Sequence, residues 1–210
     1  EAGAQVSLSA TSVSADWRRT HWLATLKLPS GVVELRPNLI VDATGRNAHF
    51  ARKQGAKILA SDQQIALGMP QTSSASTAGG RVLIEATDSG WWYRAPLVSN
   101  QSITVYMTDA GLLPRGGKAK LREWWINQIR KTHSIGPEMG DSQVAGAHLS
   151  LKWARSQRLS HAAGEGWIAV GDAAFAFDPL ASQGITKALE GAQHAADMVS
   201  RHLSGDANAF

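Results

Sequence analysis

Apolar and polar positions alternate over several short stretches, collect into a few compact runs, and take helical spacing twice. Val6 and Leu8 alternate with serines, Trp22 to Leu28 alternates again, and Pro29-Ser30-Gly31 turns the chain into Val32 to Leu35, which predicts a β meander over residues 5–41. Asn38-Leu39-Ile40-Val41 then reads as a compact strand that stops at Asp42-Ala43-Thr44-Gly45-Arg46. Asn47 to Lys53 predicts a short helix closed by Gly55 in the C-terminal capping position. Residues 71–80, QTSSASTAGG, predict a polar surface loop. Strands are expected at Val82 to Ala86, Trp91 to Val98 and Ser102 to Thr108, forming an antiparallel sheet. Leu121, Trp124, Trp125, Gln128 and Ile129 fall on one helical face, so residues 118–132 predict an amphipathic helix against that sheet, with Trp124 and Trp125 as packing residues. Val144 to Trp153 is a weaker strand pattern, and Trp167-Ile168-Ala169-Val170 a strong one ending at Gly171-Asp172. From Gln183 to Leu203, apolar residues recur every three or four positions, which predicts a long helix.

Composition sets the outer limits. A chain of 210 residues with 43% hydrophobic content fills a real core. The apolar runs are far shorter than the roughly 20 residues that cross a bilayer, so no membrane span is expected. The net charge of +4 comes from scattered basic residues, which argues against nucleic acid and suits an anionic dinucleotide such as FAD or NADPH. Without cysteine there is neither a disulfide framework nor thiol chemistry, which fits a reducing cytoplasm. The seven histidines lack metal spacing, and no GxSxG nucleophile elbow is present.

Two apolar strands stop at small-plus-acidic loops, Asp42-Ala43-Thr44-Gly45 and Gly171-Asp172-Ala173-Ala174, and the second runs through Pro179 into the long helix. Gly171 and Ala173 let a ligand approach the backbone, and the Asp172 carboxylate can accept hydrogen bonds from sugar or ribityl hydroxyls. The unpaired N–H groups near Gln183, Gly184 and Ile185 lie at the positive end of that helix, where they can stabilise negative charge such as reduced flavin carries. Either acid can instead cap a turn, and for Asp42 that alternative stands level with a cofactor role; Gly45 fits turn chemistry beside a cofactor. Arg155 and Arg158 could meet a phosphate or simply lie on the surface.

DATGR at 42–46 together with GDAAFAFDPLASQGITKALEGA at 171–192 resembles the paired motifs of the group A flavoprotein monooxygenase superfamily, which includes p-hydroxybenzoate hydroxylase, flavin-dependent halogenases and geranylgeranyl reductases. The stretch containing Asp178, Pro179, Ser182 and Gly184 resembles the tryptophan-halogenase-like branch, and is similar to LodB-type flavoproteins that help mature quinone cofactors in partner oxidases. The resemblance implies that Asp172 binds the ribityl region, that Pro179 sits by the isoalloxazine ring, and that Gln183 to Ile185 offer the ring backbone donors. It also implies a substrate-binding sheet carrying Trp91, Trp92 and Tyr93, although neighbours on a strand point to opposite faces.

The expected fold class is therefore mixed α/β (α+β): a partial FAD/NAD(P)-binding Rossmann-like domain from residues 1–54 and 151–210, with an inserted, mostly antiparallel β-sheet substrate domain at 55–150. The expected activity is that of an FAD-dependent monooxygenase reduced by NAD(P)H or a reductase, reacting with oxygen through a flavin C4a-peroxide, and acting on a small-molecule or peptide substrate. A halogenase or an isoprenoid-type reductase is the first alternative, with a WxWxIP-like motif and a lysine sought upstream as marks of halogenation. A non-catalytic fragment or maturation factor binding a partner protein is the second. The chain opens on Glu1-Ala2-Gly3 and carries no GxGxxG, so it is expected to be N-terminally truncated, to retain FAD weakly or not at all, and to associate with a partner or itself at the exposed truncated face.

Overall fold

A computed structural model describes residues 3–72, 81–98, 101–139 and 148–206. The chain divides into two compact units, Glu1–Leu59 with Gln157–Phe210, and Ala60–Ser156. The first segment holds β1 (Thr11–Trp17), β2 (Trp22–Leu28), β3 (Gly31–Leu35), β4 (Ile40–Asp42), α1 (His49–Lys53) and β5 (Ile58–Ala60). The middle holds β6 (Gln64–Thr72), β7 (Leu83–Thr87), β8 (Gly90–Pro96), β9 (Gln101–Asp109), α2 (Gly117–Ile129) and β10 (Ser150–Trp153). The last holds β11 (Gln157–Leu159), β12 (Ala163–Gly164), β13 (Trp167–Ala169), β14 (Phe175–Ala176) and α3 (Gly184–Leu203).

In the first unit β1, β2 and β3 form the antiparallel meander. The strand expected around Val6 and Leu8 is absent: both residues lie outside any strand, 83% and 79% exposed, because the β1–β2 register ends at Thr11↔Lys27 and leaves them no partner. A second sheet has the order β12-β13-β4 and contains the parallel pairing Trp167↔Ile40, Ile168↔Val41 and Ala169↔Asp42. A third has the order β14-β11-β5. Trp22, Trp167, Ala48 and Ala51 form the core, and the rings of Trp17, Trp22, Phe50 and Trp167 follow one another at centroid distances of 5.2, 5.2 and 6.3 Å. Trp22 Nε1 donates to the Gly166 carbonyl at 2.6 Å, so the buried indole keeps its polar partner. Gly166 itself has φ +67°, and a Cβ there would stand 2.3 Å from the Trp17 ring.

The second unit is a five-stranded antiparallel sheet of order β10-β6-β9-β8-β7 with α2 packed against it. Trp92 stacks on Tyr106 at 4.4 Å and meets Trp125 edge-on at 4.9 Å, with Ile65, Leu67 and Met69 completing the core. Trp125 Nε1 donates to the Leu67 carbonyl at 3.0 Å, fixing the helix to β6. Gln71 and Thr72 belong to β6 and not to the loop expected at 71–80; the rest of that loop lies outside the described residues, as does most of 144–149.

Polar side chains lock the rest of this unit. The Glu85 carboxylate accepts the backbone N–H groups of His133, Ser134 (3.0 Å) and Ile135 (3.1 Å). Burial works against its ionisation, yet those three donors together hold the Glu85 carboxyl below its usual range. Asp62 behaves alike: burial opposes the charge, and the backbone N–H groups of Gln64 and Ser156 outweigh it. Arg94, 4% exposed, donates to Gln71 Oε1 at 2.8 Å and Thr104 Oγ1 at 3.0 Å and faces Glu138 at 3.6 Å. Burial lowers its pKa and Glu138 works in the opposite direction.

Candidate functional site

The parallel pairing of β4 and β13 brings the two motif loops together, because parallel neighbours end at the same edge of a sheet. After β4, Asp42 to Arg46 enters a 3-10 turn at Gly45–Asn47; after β13, Gly171–Ala173 forms another. Arg46 ties them: its Nε lies 3.3 Å from Asp172 Oδ2, and its guanidinium donates to the Phe177 carbonyl at 2.8 Å. The Arg46 carbonyl in turn accepts from Gln157 Nε2 at 2.6 Å. The Arg46–Asp172 contact is an ion pair that joins the two motif loops.

Each expected cofactor residue can now be placed. Asp172 keeps its side chain 40% exposed at the loop crest, so its carboxylate is accessible to a ligand. Gly171 has φ +55°, a conformation other residues adopt only under strain, and a Cβ there would meet Ala188 at an ordinary 3.5 Å. Ala173 is buried in the core, and its N–H bonds to the Val170 carbonyl at 3.2 Å, so it packs and does not line the surface. Asp178 caps a 3-10 turn by accepting from the Leu180 N–H at 2.9 Å, with Pro179 as its first residue and Ser182 left-handed at φ 52° after it. Gln183, Gly184 and Ile185 are exposed at the start of α3, and no side chain caps that helix. Its first N–H groups therefore point outward as uncommitted donors.

Asp42 departs from the cofactor expectation. It is 1% exposed, and its carboxylate accepts the Thr44 N–H (2.9 Å), the Thr44 hydroxyl (2.6 Å) and the Ala51 N–H (2.8 Å). Those bonds cap α1 and close the loop, leaving the group turned into the fold. Gly45 opens the 3-10 turn at φ +71° with open space around it, as turn chemistry requires. Arg46, which joins the loops, is the residue sequence reasoning missed as a site member, although it stands in the quoted DATGR motif.

A cavity of about 260 Å³ lies beside these loops, walled by Gly171, Phe175, Phe177, Lys187, Gly191 and His194. Lys187 pairs with Glu190 at 2.8 Å on its rim.

The expected substrate residues belong to the second unit. Trp92 is 0% exposed in the aromatic core, which removes it from any surface a substrate can touch. Trp91 and Tyr93 are half-buried on the opposite face of β8, level with Met107 and Val105 of β9. Arg155 stacks over the Trp153 ring at 4.8 Å, and an Arg158 guanidinium nitrogen donates to the Leu159 carbonyl at 3.3 Å.

No family model matches the chain. A curated relative does: the putative FAD-dependent oxidoreductase LodB of Marinomonas mediterranea is 30% identical over 155 residues, 74% of this chain and 42% of LodB. The chain resembles FAD-dependent monooxygenase and halogenase flavoproteins. Solved flavoprotein structures share its fold. The peptidyl tryptophan dihydroxylase QhpG, essential for tryptophylquinone cofactor biogenesis, superposes with a TM-score of 0.73 at 23% identity, covering 92% of this chain and 42% of QhpG. The flavin-dependent brominase Bmp2 superposes with a TM-score of 0.72 at 20% identity, covering 96% of this chain and 52% of Bmp2. The chain thus spans between about two-fifths and half the length of the flavoproteins it matches. Its architecture is mixed α/β with several mostly antiparallel sheets, as in these enzymes. Among the described residues no helix is long and apolar enough to cross a membrane, and no cluster of three or more His, Asp or Glu could hold a metal.

Proposed function

We propose that the first unit is part of the FAD-binding domain of a flavin-dependent monooxygenase and that the second unit is its substrate-binding domain. The carrying observation is the loop pair fixed by Arg46 and Asp172, set in one unit with the open N-terminus of α3. These residues fit a flavin: a glycine held at positive φ without a side chain, an accessible carboxylate, and uncommitted backbone donors. Asp172 would hold the ribityl hydroxyls, Arg46 would keep that carboxylate aimed, and the N–H groups of Gly184 and Ile185 would favour negative charge on the ring. Pro179 would set the approach of the chain beside the ring through its fixed φ. Bound FAD, reduced by NAD(P)H or a reductase, would supply oxygen activation for transfer to the substrate. In the second unit, Trp91 and Tyr93 offer an aromatic face for a small-molecule or peptide substrate.

A second reading, halogenation, takes support from β8 itself. The WxWxIP pattern expected upstream is met in outline by Trp91-Trp92-Tyr93-Arg94-Ala95-Pro96, with Tyr for the second Trp and Ala for Ile. Oxygen transfer is the better fit, because that pattern is incomplete. Titrating the chain with FAD while following flavin fluorescence tests the flavin reading. Binding that is micromolar or weaker and loses about tenfold on Asp172→Ala, near the strength of one charge-assisted hydrogen bond, is the expected result. Affinity unchanged by that substitution rejects Asp172 as the flavin's contact, and no binding at millimolar FAD shows that residues 1–210 do not hold the flavin by themselves.

A further inference from the structure

Gln157 puts a polar side chain where packing alone would favour an apolar one. It is 5% exposed at the start of β11, and its Nε2 donates to the Arg46 carbonyl at 2.6 Å. Burying an amide is unfavourable unless its hydrogen bonds are kept. Here the bond reaches the backbone of the residue whose guanidinium ties the two motif loops. The main chain of Gln157 closes the arrangement from the other side. Gln157 pairs with Ala176 of β14, and the Leu159 N–H donates to the Ala174 carbonyl at 3.0 Å, so β11 is laced to the segment that follows Asp172. Phe177 comes directly after β14, and its carbonyl accepts from the Arg46 guanidinium at 2.8 Å, while Arg46 Nε lies 3.3 Å from Asp172 Oδ2. The contacts therefore run in a ring: from the Gln157 backbone to Ala176, from Phe177 to the Arg46 guanidinium, and from the Arg46 carbonyl back to the Gln157 amide.

We propose that Gln157 is a positioning residue for Asp172: through Arg46 it sets where that carboxylate points, and thereby how tightly the loop holds a polyol such as the ribityl chain. The ion pair cannot set that aim by itself. Its side chains are 26% and 40% exposed, and a pair so open to water holds a long, many-rotamer arginine only weakly. The ring supplies what the pair lacks. It fixes the Arg46 main chain at one end through Gln157 and the guanidinium at the other through Phe177, which leaves the guanidinium a narrow range of positions from which to meet Asp172. Without the Gln157 donor the Gly45–Asn47 turn loses its tie to β11, Arg46 regains its rotamers, and the Asp172 carboxylate swings with solvent. The aiming of Asp172 is a property of these residues alone, whereas its consequence for a ligand rests on the flavin reading above.

The test compares the chain with Gln157→Met, which keeps the length and volume of the side chain and removes the donor. Nitrogen-15 NMR without FAD follows the Arg46 Nε–H. In the parent its resonance is expected to shift on Asp172→Asn; in Gln157→Met it should exchange with water about fivefold faster and no longer respond to Asp172→Asn. An FAD titration followed by flavin fluorescence should then show affinity about fivefold lower in Gln157→Met, near the strength of one neutral hydrogen bond, and no further loss from Gln157→Met once Asp172 is replaced by alanine. A Gln157 that only packs would lower the melting temperature and leave both the Arg46 signal and its response to Asp172 as in the parent, which overturns the proposal. Where Gln157→Met does not fold, the parent decides: side-chain amide protons of Gln157 that shift on Asp172→Asn support the ring, and amide protons indifferent to it overturn the proposal. A parent that binds FAD with Gln157→Met matching its affinity overturns this inference alone, whereas a parent that binds none overturns the ligand consequence together with the flavin reading.

Discussion

Replacing Asp42 by alanine separates a folding role from a ligand role at the first motif. The carboxylate is 1% exposed and accepts three hydrogen bonds, two of them from the backbone N–H groups of Thr44 and Ala51. Ala51 is fully buried, so water cannot replace the lost acceptor there. Leaving a buried donor unpaired costs about 1–3 kcal/mol, and losing a helix cap falls in the same range, which puts Asp42→Ala at about 3 kcal/mol for the first unit. For a chain of this size that corresponds to a melting temperature lower by roughly 6–12 °C. Asp42→Asn keeps one acceptor oxygen for Thr44 but turns a donor toward Ala51, so its loss should be about half as large. Urea unfolding followed by tryptophan fluorescence reports the change, since Trp22 and Trp167 share the core that α1 closes. An Asp42→Ala chain with an unchanged midpoint and lost FAD affinity would refute the capping account and restore Asp42 as a cofactor ligand.

Three further outcomes are expected. Gly171→Ala should cost about 1–2 kcal/mol in thermal unfolding from its positive φ alone, since a Cβ meets Ala188 at an ordinary 3.5 Å; a melting temperature equal to the parent's refutes the strain. Gly166→Ala should cost more, because the same strain is joined by a Cβ placed 2.3 Å from the Trp17 ring, and a smaller loss than at Gly171 contradicts this packing. Glu85 and Asp62 both have folded-state pKa values below their usual ones, so the stability they contribute is present above the unfolded carboxylate range of about 4 and is lost as pH falls through the lower folded values. Glu85→Gln should flatten that acid limb in a pH series of urea midpoints; an unchanged limb argues that the His133–Ile135 grip contributes nothing.

The elements that could be read from sequence are those whose pattern one neighbour decides. The run Trp167-Ile168-Ala169 is buried on both faces and announces itself by continuous apolarity. The recurring small and apolar residues of α3 announce a helix even though almost none is buried here. β6 was not legible, because Gly68 and Pro70 punctuate Gln64–Thr72 as a turn would. Pairing explains the exception: β10 accompanies β6 only from Ile65 to Gly68, so Pro70 lies where one side of the strand has no neighbour among the described residues. Alternation on β8 requires Trp91 and Trp92 to face opposite ways, but which one enters the core is decided by Trp125 and Tyr106, distant in sequence. The same holds at the site. Gly171-Asp172 is a legible loop, whereas the partner that makes it a site, Arg46, comes within reach only through the parallel register of β4 and β13. Asp42 and Asp172 look alike as acids after apolar strands; Thr44 and Ala51 consume one and solvent leaves the other available.

The central claim, that the paired loops and the start of α3 form a flavin site, is tested most directly by hydrogen exchange on the chain with and without saturating FAD. Slower exchange confined to Gly171–Ala174 and Gly184–Thr186, with Gln101–Asp109 unaffected, is the predicted result. Saturation that protects neither stretch, or protects only the second unit, would contradict it.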